Sequence, residues 1–265
     1  FDGIAGTYSN NLSEFTKLLT NGKYDEIGEA IADSKSPVSY KHELDYWHTN
    51  VDNLSNRYAT SMKVMFDYKS ISDDIFVGLS LGVGLGTYWG VHAHNHHIQI
   101  ARRAIAGIFD NNTYNHYLYA GVFKHFTIKK ESQRLFDILN KYEYDVAFLG
   151  PTYFSRYEDV FSIKKFNHIE IPVTGAIGHM DSVIEQITLH KNKSDSQSIV
   201  FLQCGHMMAS NIIYELRDMD ITIIDVGRSF DLELKDEVDK HDTMWRCWTG
   251  LDVNGLNNYV DEIRE

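Results

Sequence analysis

The stretch from Gln197 to Gly227 constrains the fold of this chain more than any other. Ile199 to Leu202 is a short apolar run that gives way to Gly205, which suits a strand buried on both faces. Ala209, Ile212, Ile213 and Leu216 then recur at spacings of three and four, as one apolar face of a helix does. Ile221 to Val226 is a second run rich in β-branched residues. Strand, helix and strand with short joins make a parallel crossover unit, so the spacing predicts an α/β chain with a mostly parallel sheet. Ligands of such sheets sit beyond the carboxyl ends of the strands. That rule places Cys204, Gly205, His206, Asp225 and Gly227 on one ligand-binding edge.

The remaining pattern extends this unit towards the amino end. Helices are expected over 11–19, with Ser13 as a cap, over 23–33, over 53–68 with Leu54, Tyr58, Met62 and Met65 inward, and over 98–108. A further helix is expected over 129–142, with Leu135, Ile138 and Leu139 inward, and others near 153–161, over 181–190 and over 232–239. Strands are expected at 38–40, 75–81, 116–126, 145–149 and 168–171. Residues 1–240 read as a single α/β domain, and 241–265, with Trp245, Trp248 and Tyr259 but no period, as a tail that packs on the domain or at an interface.

Three local features carry chemistry. Glu43 and Asp45 alternate around Leu44, so in an extended segment both carboxylates project to one side. Two hard oxygen donors so placed suit Mg²⁺ or Mn²⁺, and the other reading is a pair of solvated acids near a loop. Gly78, Gly82, Gly84 and Gly86 accompany the strand that begins at Ile75, where backbone N–H groups can approach a phosphate. They lack the complete G-x-G-x-x-G pattern, and a flexible turn is the other reading. His92, His94, His96 and His97 offer imidazoles to zinc in a pattern close to the H-x-H-x-D-H of metallo-β-lactamase-fold hydrolases, with His96 where that signature has Asp. A polar loop leading into the next helix is the alternative.

Charge and cysteine usage narrow the class. A net charge of −12 argues against broad nucleic-acid binding, though not against a local basic patch. Two cysteines, Cys204 and Cys247, are too few for a disulfide framework, and the chain reads as cytoplasmic. No apolar run reaches the roughly 20 residues that span a bilayer. The chain begins at Phe1 rather than Met, which reads as a piece of a longer polypeptide.

From Lys23 to Leu234 the succession of motifs resembles the GT-D-fold glycosyltransferases. The stretch Ser39-Tyr40-Lys41-His42-Glu43-Leu44-Asp45-Tyr46-Trp47 stands where that family has a Ser-aromatic strand, an Asp-Gly-Glu motif and an aromatic. Asp73-Asp74-Ile75-Phe76-Val77-Gly78, Phe148-Leu149-Gly150-Pro151, residues 169–184, residues 201–216 and Ile224-Asp225-Val226-Gly227 match its later motifs in order. The acids are reversed in this chain, and Leu44 replaces the glycine between them. The resemblance implies a Rossmann-like fold with helices on both sheet faces. It also implies sugar transfer from a nucleotide diphosphate donor, uridine-linked, to a glycan or other acceptor hydroxyl. In that scheme Glu43 and Asp45 hold Mn²⁺ or Mg²⁺ and act in catalysis with Asp225, while Gly78, Gly150, Gly205, His206 and Gly227 bind the donor. Two further classes stay open: a zinc-dependent hydrolase built on His92, His94 and His97, and a non-catalytic nucleotide- or glycan-binding module.

Overall fold

A computed structural model describes residues 12–33, 53–79, 118–119, 123, 126, 131–172, 176–227 and 229–234. Helices α1 (Leu12–Thr20), α2 (Tyr24–Asp33), α3 (Leu54–Phe66) and the single turn α4 (Tyr68–Ile71) come first. Strands β1 (Gly78–Leu79) and β2 (Leu118–Tyr119) pair in parallel as a separate two-stranded sheet. The main unit follows as α5 (Ser132–Lys141), β3 (Asp145–Gly150), α6 (Tyr157–Val160), β4 (Phe166–Glu170), α7 (Met180–Lys193), β5 (Ser198–Leu202), α8 (His206–Glu215) and β6 (Thr222–Asp225). Short 3-10 turns stand at Thr152–Arg156, Ala176–His179 and Asp231–Leu234.

Strands β3 to β6 form a four-stranded sheet in the order β4-β3-β5-β6, and every pair in it is parallel. Helices cover both faces, so the chain has a Rossmann-like α/β fold. Alternation along each strand sorts the side chains between two cores. Val146 and Phe148 of β3, Ile199 and Phe201 of β5 and Ile224 of β6 point to one face. There they meet Phe136 and Leu139 of α5, Tyr157 of α6, and Phe154, Phe161 and Phe230. Ala147, Leu149, Val200, Leu202 and Ile223 point to the other face, towards Met180, Val183 and Ile187 of α7 and Met208, Ala209 and Ile212 of α8. The first core is aromatic: Phe148 stacks on Phe201 at 4.9 Å and Phe136 on Phe161 at 4.2 Å between ring centroids. Burying each ring removes a large apolar area from water and is worth about 1.5–3 kcal/mol.

A further helical layer lies outside α8. Phe15 and Leu19 of α1, Ile27 and Ile31 of α2 and Met62, Met65 and Phe66 of α3 make its own apolar core. Gly28 lets two backbones close here, because a Cβ at that position would stand 2.3 Å from the Ser55 carbonyl oxygen and 2.8 Å from Ala59 N. The seam between α3 and α8 is polar and satisfied. The Ser61 and Ser210 hydroxyls lie 2.8 Å apart in a buried contact, and Asn211 Nδ2 donates to the Arg57 carbonyl at 3.0 Å. The Arg57 guanidinium also reaches Met180 Sδ at 3.3 Å and Asp181 Oδ1 at 3.4 Å, tying α3 to the start of α7.

The structure departs from the sequence expectations in identifiable places. Helix α1 already includes Leu12, so Ser13 lies inside the first turn and not ahead of it. Ile138 is 46% exposed, and Phe136 takes the inward position expected of it. Two residues along a helix turn through roughly 200°, so Phe136 and Ile138 cannot share a face. Phe123 and Phe126, expected in a strand, are helical, and their rings lie 6.2 Å apart as a spacing of three on one helix face allows. Helix α7 continues through Lys193, beyond the expected end at His190. The expected strand at 38–40, the helix at 98–108 and the tail at 241–265 lie outside the described residues. Among the described residues no helix is long and apolar enough to cross a membrane.

Phe148 is fully buried at the centre of the aromatic core. Phe148→Ala leaves a cavity that its neighbours cannot fill, with an expected loss of about 3–5 kcal/mol in urea unfolding. Wild-type stability in that variant would contradict the packing described.

Candidate functional site

The sheet order creates a switch point. From β3 the chain crosses to β4 on one side, then returns to β5 on the other side of β3. The connections after β3 and β5 therefore leave in opposite directions, and the switch point between them lies beyond their carboxyl ends, where sheets of this kind bind ligands. Gly150-Pro151-Thr152 forms one wall and Gln203-Cys204-Gly205 the other. The end of β6 lies next to the second wall, since Leu202 pairs with Asp225.

The wall after β3 is tightly determined. A Cβ on Gly150 would stand 1.9 Å from the Phe154 ring, so glycine is required for the packing of the turn that follows. The Gly150 carbonyl accepts from Ile171 N at 3.1 Å and contacts His168 Nε2 at 3.0 Å. A carbonyl only accepts, so His168 carries its proton on Nε2. At the rim the Thr152 hydroxyl donates to Glu170 Oε1, which orients an exposed carboxylate at the end of β4.

The wall after β5 leads into α8. Gly205 is the cap residue of α8, with φ 84° and ψ 146°, a conformation that glycine adopts without strain. Its carbonyl accepts the first bond of the helix, from Ala209 N at 3.0 Å. The amides at the start of the helix have no acceptor within it, and the cap residue, a glycine, has no side chain to offer them. They and the positive end of the helix dipole favour an anion at this edge. Cys204 is buried beneath the turn. Burial, reinforced by the negative charge of Asp225, raises its thiol well above the ordinary range, so it remains protonated and unreactive at neutral pH.

At the end of β6 the Gly227 amide donates to Asp225 Oδ1 at 3.0 Å, and the carboxylate closes the turn while staying exposed. Gly227 has φ 51°, and a Cβ there would meet nothing within 4 Å, so the turn conformation alone favours glycine.

The fold thus gathers Gly150, Gly205, the backbone of His206, Asp225 and Gly227 on one edge. Gly78 instead belongs to the separate β1–β2 pair. Glu43, Asp45, His92, His94 and His97 lie outside the described residues. Among the described residues no group of three or more His, Cys, Asp or Glu gathers to hold a metal ion. Thr152, Glu170 and Gln203 were not singled out from sequence. The available signal for Glu170 was a charge between Ile169 and Ile171 at a strand end.

A pocket of about 190 Å³ lies at the opposite edge, by Asp145, Lys165, Asn167 and His190. Its acid is engaged within the protein: Asp145 Oδ2 accepts from the Ser194 and Ser196 hydroxyls.

The fold and this edge define a Rossmann-like α/β protein with a switch point beside which α8 begins. No protein-family model, curated protein or solved structure matches the chain.

Two outcomes follow. Gly205→Ala forces a side chain into a backbone region that L residues rarely adopt, with an expected loss of about 1–3 kcal/mol in denaturant unfolding. In a Cys247→Ser background, iodoacetamide at pH 7 labels Cys204 slowly in the native protein and rapidly in urea. Equal rates in both would show that the thiol is not sequestered.

Proposed function

We propose that this chain transfers a sugar from a nucleotide diphosphate donor, uridine-linked, to an acceptor hydroxyl. The observation that carries the reading is the amino end of α8 at the switch-point edge, with the Asp225 turn beside it on the neighbouring strand. The ordered motif resemblance from Lys23 to Leu234 supports it independently of that geometry.

In glycosyl transfer the acceptor oxygen bonds to the anomeric carbon as the bond from that carbon to the diphosphate oxygen breaks. The acceptor proton passes to a base, and negative charge collects on the departing diphosphate. The amides that open α8 would hold a phosphate oxygen and stabilise that charge without reorganising. Asp225 has one oxygen on the Gly227 amide and remains exposed, which suits an additional hydrogen bond from a ribose or acceptor hydroxyl. Glu43 and Asp45 are hard oxygen donors of the kind that would hold Mn²⁺ or Mg²⁺. When bound, such a cation supplies Lewis-acid stabilisation of the leaving diphosphate.

The reading is tested by calorimetry with uridine and guanosine diphosphates, with and without Mn²⁺. Uridine diphosphate is expected to bind the wild type in a Mn²⁺-dependent way and to lose that binding in Glu43→Ala/Asp45→Ala. Absence of nucleotide binding under every metal condition would remove the transfer reading.

A further inference from the structure

A second recess lies away from the sheet edge, in the outer helical layer. It holds about 650 Å³ between the α1–α2 turn, α3, Asp67 and the end of α8. Ligand pockets for small molecules span roughly 300–1,000 Å³, so this one has room for a sugar unit and more. Tyr24 and Tyr214 contribute ring surface, while Asn56, Thr60, Lys63 and Asp67 contribute polar groups. The Arg217 guanidinium lies 4.4 Å from the Tyr214 ring centroid.

The chemistry of this lining selects among ligand classes. Asn56 offers both donors and an acceptor, Thr60 both, Lys63 donors and Asp67 acceptors. None of these four side chains makes a hydrogen bond or ion pair with another described residue. An apolar ligand would strip water from all four and return nothing, which is costly. A phosphate would meet only the single cation of Lys63, against the carboxylates of Asp67 and Asp25, in a chain of net charge −12. A neutral ligand whose hydroxyls both donate and accept satisfies all four, and its C–H faces suit the tyrosine rings.

We propose that this groove binds a neutral pyranose sugar. As the seat of an acceptor glycan it rests on the transfer reading; as a sugar site it stands on the groove alone. The arrangement has a structural basis. Ala59, small and buried, keeps the floor of α3 low between Asn56 and Thr60, and Gly22 at φ 66° turns the chain sharply before Tyr24.

The test is saturation-transfer NMR on the full chain with methyl glycosides of glucose, galactose, mannose and N-acetylglucosamine. At least one is expected to bind saturably and to weaken by about tenfold in Asn56→Ala/Lys63→Ala, the loss of two hydrogen bonds of ordinary strength. If the double variant does not fold, Asn56→Ala alone carries the comparison, since Asn56 is exposed. Absence of saturable binding for all four probes, or undiminished binding in the variant, overturns the proposal. Sugar binding without nucleotide binding keeps the groove and removes the transfer reading. Nucleotide binding without sugar binding does the reverse.

Discussion

The pairing of β3 with β5 is the contact on which the rest of this structure depends. Their register sets Phe148 beside Phe201 on one face and Ala147 beside Val200 on the other. A one-residue slip would exchange these faces and drive the aromatic rings into the side built for Met208, Ala209 and Ile212. The aromatic face fills the space beneath α5 and α6 with large rings, while the aliphatic face packs against α7 and α8.

The same pairing creates the switch point. Because β4 and β5 flank β3 on opposite sides, the turns after β3 and β5 diverge, and α8 begins beside the point where they part. Three glycines serve this edge for three physical reasons. Gly150 makes room for the Phe154 ring, Gly205 turns the backbone into a helix, and Gly227 occupies a left-handed position in open space. Their common position does not mean a common role: Gly150 is explained by packing, and Gly205 is the one that leads into the amides opening α8. Asp225 likewise combines a turn-closing hydrogen bond with an exposed carboxylate, so its structural role does not preclude a ligand.

The outer layer is joined to the sheet by polar contacts rather than by a continuous apolar core. Ser61, Ser210, Asn211 and the Arg57 carbonyl make specific hydrogen bonds across α3 and α8. Such a seam specifies one arrangement of the two helices, because a shifted register would leave buried hydroxyl and amide groups unpaired. It also holds α3 and the end of α8 at the spacing that opens the groove by Tyr214.

Much of the sheet was legible in the primary structure because strands buried on both faces are written as continuous apolar runs. Residues 145–149 and 199–202 have this form, and the helix between β5 and β6 repeats at three and four, so local pattern alone determined the parallel unit. The aromatic segment near Phe123 was misread because rings suit both strands and helices, and only the partners Phe201 and Phe230 select the helical form. The order β4-β3-β5-β6, and with it the switch point, came only from tertiary structure, because hydrophobic period says that a strand is buried but not which strand lies beside it. The pairing of Thr152 with Glu170 and the gathering of Tyr24, Asn56 and Tyr214 were equally beyond local pattern. Those residues are distant in sequence or ordinary in type, and only the packing of helices and strands brings them together.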